Sequence, residues 1–232
     1  MAKTKVFFIT GTDTEVGKTY VTVALLNALK QKGLRTLALK PIAAGCEEQG
    51  GEWVNDDALQ LRRAMTEQLP YQQINPIALK SAIAPHLAAQ QEGRRLSADR
   101  LTGVIRGSLM TPADVALIEG AGGWLVPLNE RETLADLVGQ LAIPVILVVG
   151  VRLGCLNHAL LTVQSITAAG LPLAGWVANC LDPAASMVSE NIETLAARID
   201  APCLGVIPRQ TSASEWGGAE FLNIDGLLES AL

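Results

Sequence analysis

The sequence predicts a doubly wound α/β fold, a mostly parallel sheet with helices on both faces, over residues 1–232 as a single domain. Three observations predict it. Short aliphatic runs recur at 6–10, 36–39, 115–118, 145–149, 175–178 and 204–207, each bounded by Gly, Pro or a charge. They are apolar at consecutive positions, as strands buried on both faces are. Amphipathic stretches at 18–30, 96–110, 157–169 and 186–199 carry apolar residues three and four apart, the helical period. The two kinds of segment alternate, which implies parallel strands joined by right-handed crossovers. In such sheets ligands gather beyond the carboxyl ends of the strands, so chemistry is sought just after each run.

Composition narrows the class. The 232 residues are 49% apolar and 18% charged, an ordinary globular balance, and a single core can grow to roughly 250 residues. Eighteen Lys and Arg against 23 Asp and Glu leave a net charge of −5, which excludes a broad cationic face for nucleic acid. Any cationic site is therefore local. Cys46, Cys155, Cys180 and Cys203 form no CxxC pair and read as reduced, buried thiols. The N-terminal apolar run is too short for a secretory signal, and no run approaches the ~20 residues of a membrane helix, so a cytoplasmic location is expected. Stretches 45–53 and 210–218, rich in Gly, Glu and Ser, read as exposed loops.

The first run leads into Gly11-Thr-Asp-Thr-Glu-Val-Gly-Lys-Thr19 and then directly into a helix. Strand, glycine-containing loop and helix in that order aim backbone N–H groups and the positive helix end at a phosphate. Five residues separate the glycines instead of the usual four, so this is a variant P-loop. Lys18 would reach the β- and γ-phosphates, and the Thr19 hydroxyl would hold Mg²⁺. Partitioning-type switch ATPases carry a second lysine early in the loop; Asp13 stands at that place here.

The remaining runs supply candidate partners. Lys40 ends the second run and precedes Pro41; it is either a solvated strand-end lysine or a second cation beside the γ-phosphate. Asp57, in Asn55-Asp-Asp-Ala-Leu59, is either a helix cap or a metal carboxylate. Glu119 opens Glu-Gly-Ala-Gly-Gly-Trp124 after the third run, which places a carboxylate at a strand end beside a turn whose amides can approach a ligand. Trp124 and Trp176 read as packing residues rather than substrate walls, and His86 and His158, lacking metal-like spacing, as packed or hydrogen-bonded histidines.

Taken in order, the motifs at 11–19, Lys40-Pro41, 55–59, Pro85-His86 with Gln91-Glu-Gly-Arg94, 119–124, 154–159 and 175–179 resemble those of the dethiobiotin synthetase family of P-loop NTPases. The resemblance covers nearly the whole chain. It implies an enzyme of biotin synthesis that joins 7,8-diaminopelargonate and CO₂ into a cyclic urea, converting ATP to ADP and phosphate. The path runs through a carbamate and a carbamic–phosphoric anhydride.

By that resemblance Lys18 and Lys40 are the catalytic lysines, and Thr19, Asp57 and Glu119 hold Mg²⁺. ATP would contact Glu15, Val16, Gly17, Lys18, Thr19 and Tyr20 along the loop, together with Gly120, Ala121 and Gly122. The base and ribose would meet Asn179, Cys180, Pro208, Arg209, Gln210 and Glu215. The diamine would lie against Thr14, Lys40, Ala44 and Gly122. Its distal carboxylate would meet Gly154, Cys155, Leu156 and Asn157 at a helix start supplied by the second subunit of a homodimer. Two departures stand out. Ala44 occupies a place where the family commonly has Ser or Thr, and Arg152 one where lysine is common. Two other readings share the motif: a nucleotide-switch ATPase, and a cobyrinate-synthase-like ATP-binding domain, whose glutaminase partner 232 residues cannot accommodate.

Overall fold

The computed structural model describes residues 4–182, 185–209 and 217–229. Strand β1 (Lys5–Gly11) leads through the loop into helix α1 (Lys18–Gln31), followed by β2 (Thr36–Leu39). The excursion after β2 comprises β3 (Ile42–Ala43), β4 (Glu47–Gln49), β5 (Glu52–Val54), α2 (Asp56–Ala64), α3 (Tyr71–Ile74), β6 (Ile77–Ala78), α4 (Pro85–Gln91) and α5 (Ala98–Ser108). The chain then re-enters the sheet as β7 (Val115–Glu119), α6 (Leu134–Leu141), β8 (Val145–Gly150), α7 (Cys155–Ala168), β9 (Leu173–Asn179), α8 (Val188–Ala196) and β10 (Cys203–Ile207). A 3₁₀ turn (Ala219–Phe221) and α9 (Asp225–Glu229) follow.

Among the described residues the central sheet has six strands in the order β10-β9-β8-β1-β7-β2. Every pairing within it is parallel. The six runs read from sequence are these six strands. From β1 the chain steps outward to β2, returns to β7, and crosses β1 to continue as β8, β9 and β10. The direction of winding thus reverses at β1, the place where ligands bind in such sheets. Both faces are covered, as continuous apolar strands require. Ile146 and Val148 of β8 belong to the main core, whereas Leu147 and Val149 face the second cluster beneath α7 and α8. That is the two-residue alternation of a strand sandwiched between helices.

Local chemistry sets the helix starts. The Asn55 side chain accepts from Ala58 N at 3.4 Å and caps α2, Ser97 accepts from Arg100 N at 3.3 Å to cap α5, and Thr133 with Asp136 forms a reciprocal box at α6. Helix α7 begins at Cys155, two residues earlier than the apolar period suggested. Residues 45–53 are not a plain loop. They carry the exposed antiparallel hairpin β4–β5, turned by Gly50 and Gly51 at φ 63° and 86°, the paired positive values that match strand twist in a two-residue turn. Strands of three residues each, holding three glutamates and flanking two glycines, had left no apolar run to read. The described residues of 210–218 are Gly217 and Gly218.

Trp124 and Trp176 are buried, and the Trp124 ring meets Phe8 edge-on at 6.4 Å between centroids, so both tryptophans are packing residues. Cys46 and Cys155 are buried free thiols, and Cys180 and Cys203 are half-buried. His158 lies exposed on α7, which corrects its reading as a packed or bonded histidine, while His86 is half-buried.

Candidate active site

The loop between β1 and α1 carries two left-handed residues, Glu15 at φ 57° and Gly17 at φ 81°. Gly17 is obligatory for two reasons: its backbone is strained for any residue with a side chain, and a Cβ there would lie 2.1 Å from Asn179 Nδ2. Asn179 Nδ2 donates to Val16 O at 3.0 Å, tying the loop to the end of β9. Lys18 folds back over the loop and donates to Asp13 O at 3.1 Å. Burial, followed by repulsion from Lys40, lowers its ammonium from the ordinary 10.5 to about 8, against the pull of Glu119, Asp57 and Asp13.

Beside this loop, the ends of β7 and β2 bring together a buried charge cluster. Glu119 closes β7, where it pairs in register with Ile9 of β1, and has no solvent exposure. Its Oε1 accepts from Thr19 Oγ1 at 2.7 Å and from Lys40 Nζ at 2.6 Å. Lys40 Nζ also donates to Asp57 Oδ2 at 3.1 Å and to Gly120 O at 3.2 Å. The solvated alternative for Lys40 is therefore wrong: the residue is 4% exposed. Burial alone would lower its ammonium, but Glu119 and Asp57 outweigh that and hold it above its ordinary value. Asp57 shows the mirror image: burial raises its carboxyl, and Lys40 more than offsets this, leaving it below the usual range. The cap of α2 is Asn55, which leaves Asp57 in the first turn to face Lys40.

The donor set fits Mg²⁺. Thr19, Asp57 and Glu119 offer hard oxygens at one point, and Glu119 Oε2 is buried without a hydrogen-bond partner, a costly state that a cation or its bound water would relieve. Among the described residues no cluster of three or more His, Cys, Asp or Glu could hold a metal alone. Mg²⁺ characteristically takes one or two carboxylates and draws the rest of its shell from phosphates and water.

Lys18, Thr19, Lys40 and Asp57 line a cleft of about 860 Å³, with the buried Glu119 behind them. Thr14, Glu15, Gly17, Lys18, Thr19 and Tyr20 form one wall, with Lys40, Asp57, Ala121 and Gly122 beyond it. The opposite wall, Ala43 and Ala44 with 82–85, 126 and 127, is apolar. Most of this wall escaped the sequence reading, because small apolar residues in loops carry no periodic signal. A cleft with a phosphate loop at one end, Asp57 and two lysines at its centre, Glu119 buried behind them, and an apolar wall opposite suits a nucleotide beside a partly aliphatic substrate.

Comparison with known proteins agrees. The AAA domain family matches residues 5–215. The chain is 56% identical over 226 residues to the ATP-dependent dethiobiotin synthetase BioD of Cellvibrio japonicus, covering 97% of this chain and 99% of that one. It is 53% identical over 218 residues to the BioD of Pseudomonas aeruginosa strain UCBPP-PA14, covering 94% and 96%. The chain belongs to the ATP-dependent dethiobiotin synthetase family. Solved structures share the fold at low identity. They include the MinC:MinD complex of Aquifex aeolicus (TM-score 0.56, 14% identity, 91% of this chain and 84% of that one) and a ParA family ATPase of Chlorobium tepidum (0.54, 16%, 90% and 86%).

The remaining residues that the likeness to dethiobiotin synthetases nominated are dispersed. Val16 lends only its backbone, since its side chain is buried in the core. Gly120 stands behind the cleft and offers its carbonyl to Lys40. Asn179 is the buried last residue of β9 rather than a residue beyond it, and Cys180 N donates to Ile207 O at 2.9 Å, so the ends of β9 and β10 lie side by side. Pro208 and Arg209 are exposed beyond β10, and Gln210 and Glu215 lie outside the described residues. Gly154, Leu156 and Asn157 do not line this chain's own cleft, and the Cys155 side chain points into the core beneath α7. Arg152 pairs with Asp13 at 2.6 Å, so the loop before α7 is anchored to the phosphate loop.

Proposed function

We propose that the cleft closes the ureido ring of dethiobiotin through a carbamate and a carbamic–phosphoric anhydride. Membership of the synthetase family makes the protein an ATP-dependent ligase of biotin synthesis, acting on small molecules. The path begins when one amine of 7,8-diaminopelargonate adds to CO₂ and loses a proton. A carbamate oxygen then attacks the γ-phosphorus, and ADP departs. The second amine attacks the activated carbonyl, phosphate departs, and the ring closes. No protein nucleophile is needed.

The observation that carries this reading is the position of Lys40, whose ammonium is fixed by Glu119, Asp57 and Gly120 O within the field of Lys18. Two anions, carbamate and triphosphate, must be brought together, and their repulsion at ~4 Å is about 4 kcal/mol at an effective dielectric near 20. Two preset ammonium groups offset that repulsion without reorganisation as charge moves. Lys18 would hold the phosphates from the loop side, and Lys40 would align carbamate with γ-phosphate. Mg²⁺, held by Thr19, Asp57 and Glu119, would neutralise charge on the triphosphate. The apolar wall would receive the substrate's aliphatic chain, with Ala44 leaving it one hydroxyl contact short. Asn179 and Cys180 with 208–210 and Glu215 would serve base and ribose.

The same reading makes the chain one domain and a cytoplasmic homodimer, with neither nucleic acid nor membrane as partner. Among the described residues no helix is long and apolar enough to cross a membrane. Leu153, Gly154 and Asn157 are exposed at the start of α7 and do not line their own cleft, a placement that supports their service in a neighbour's site.

Incubation with Mg-ATP, bicarbonate and the diamine should yield the cyclic urea by mass. Phosphate release indifferent to the diamine, with no ureido product, would overturn the reading. The shared site has its own test: Lys40→Ala and Asn157→Asp variants, each impaired, should on mixing regain about a quarter of wild-type activity, because half the dimers then carry one intact site of two. No recovery under subunit exchange would exclude sharing.

A further inference from the structure

We infer that Tyr71 and Asn75 are positioning residues for the proposed reaction, a buried pair that fixes Lys40 and the Asp57-bearing helix relative to each other. The inference rests on the roles proposed above for Lys40 and Asp57.

Strand β2 is the edge of the sheet, so the outward backbone groups of its end have no neighbouring strand to bond. The segment 71–75 takes that place. Lys40 N donates to Ile74 O at 2.9 Å, and Asn75 Nδ2 donates to Lys40 O at 2.7 Å. The backbone of the lysine is thus held on both sides. Asn75 Oδ1 accepts from Tyr71 Oη at 3.1 Å, and the same Tyr71 oxygen accepts from Asn55 N at 2.7 Å. Asn55 is the cap of α2, whose first turn presents Asp57 to Lys40 Nζ. A closed circuit results: Lys40 backbone, Asn75, Tyr71, Asn55, the start of α2, Asp57, and back to the Lys40 ammonium.

Asn75 is 3% exposed and Tyr71 6%. Burial raises the Tyr71 phenol to about 12, so it remains a donor to Asn75 at every working pH. A phenol is suited to the task because its one oxygen both accepts and donates. Neither side chain lines the cleft, and their hydrogen bonds go to each other and to the backbone of Asn55, Lys40 and Ile77. Their removal should therefore alter the relation between Lys40 and Asp57 while leaving the triphosphate cradle intact.

The test compares Tyr71→Phe and Asn75→Asp with wild type. Tyr71→Phe keeps the ring and deletes the relay. Asn75→Asp keeps an acceptor for Tyr71 but sets a carboxylate oxygen against Lys40 O. Turnover at saturating Mg-ATP should fall about tenfold in each, less than the ~10²-fold that a 1 Å misplacement can cost. Calorimetric titration of AMP-PCP should show affinity in EDTA within twofold of wild type, and at least a threefold loss of the gain that Mg²⁺ confers. Turnover within twofold of wild type would overturn the inference. So would a parallel loss of turnover and of EDTA affinity, which marks a general structural role. Should Tyr71→Phe fail to fold, Asn75→Asp decides alone. If wild type makes no cyclic urea, the proposed function fails, and the calorimetric arm still judges the pair.

Discussion

The Lys40 ammonium lies 2.6 Å from Glu119 Oε1, with side chains 5% and 0% exposed respectively. Seventy-nine residues separate them in sequence, and the adjacency of β2 and β7 brings them together. Lys40→Ala should abolish most turnover, by about 10²-fold or more if its charge acts chiefly on the transition state, while ATP affinity measured by calorimetry stays within a few-fold. Equal losses of both would move Lys40 into nucleotide binding alone.

The same pair sets a stability test. Lys40→Met leaves the Glu119 carboxylate buried with the Thr19 hydroxyl and the field of Lys18 but no directly paired cation, so unfolding in urea should show a loss of about 3–5 kcal/mol. Adding Glu119→Gln removes the stranded charge and should recover more than about half of that loss. An additive double variant would show that the two groups do not interact.

Lys18 sets a pH dependence. In the free protein its ammonium titrates near 8 rather than 10.5. Between those values the unfolded chain holds a proton that the folded one has shed, so Lys18 makes stability rise with pH across that window. Binding runs the other way, because a triphosphate restores the proton. Nucleotide affinity should therefore fall as pH climbs above about 8, with proton uptake visible as buffer-dependent heats, and Lys18→Met should remove the uptake. Uptake unchanged in the variant would assign it to another group.

Ala44 presents a methyl group to the cleft, where the proposed function places the diamine. Ala44→Ser should lower KM for the diamine several-fold, in keeping with about 1 kcal/mol for a new hydrogen bond, with KM for ATP unchanged. A fall in neither KM would mean that backbone amides already satisfy the substrate there.

Much of this architecture was legible in sequence because it rests on short-range signals. Six aliphatic runs marked six strands, and Gly17-Lys18-Thr19 marked the loop. Glu119 was nominated by its place at a strand end. What sequence could not decide was the environment of each charge. Lys40 and Asp57 each had a bland alternative; the burial of Lys40 against Glu119 rejects the first, and the Asn55 cap of α2 rejects the second. Tyr71 and Asn75 escaped notice for a related reason: an aromatic and an amide four apart, next to Pro76, match no motif and no apolar period. Their role exists only through backbone groups 16 and 35 residues away. The β4–β5 hairpin was missed because each strand is three residues long and too short to show an apolar alternation.

The register of the sheet has a consequence for how this enzyme can change. Ile9 of β1 faces Glu119 of β7, and Leu39 of β2 faces Ile118, so the groups that follow these strands share one residue-by-residue alignment. An insertion within any one of them would shift a functional group by a whole residue relative to the others and turn its neighbours to the opposite face. The chemistry is therefore locked to the scaffold. Under the proposed assignment, variation in substrate choice has room in the apolar wall and at the α7 start, where residues can be exchanged without moving the acidic pair or the lysines.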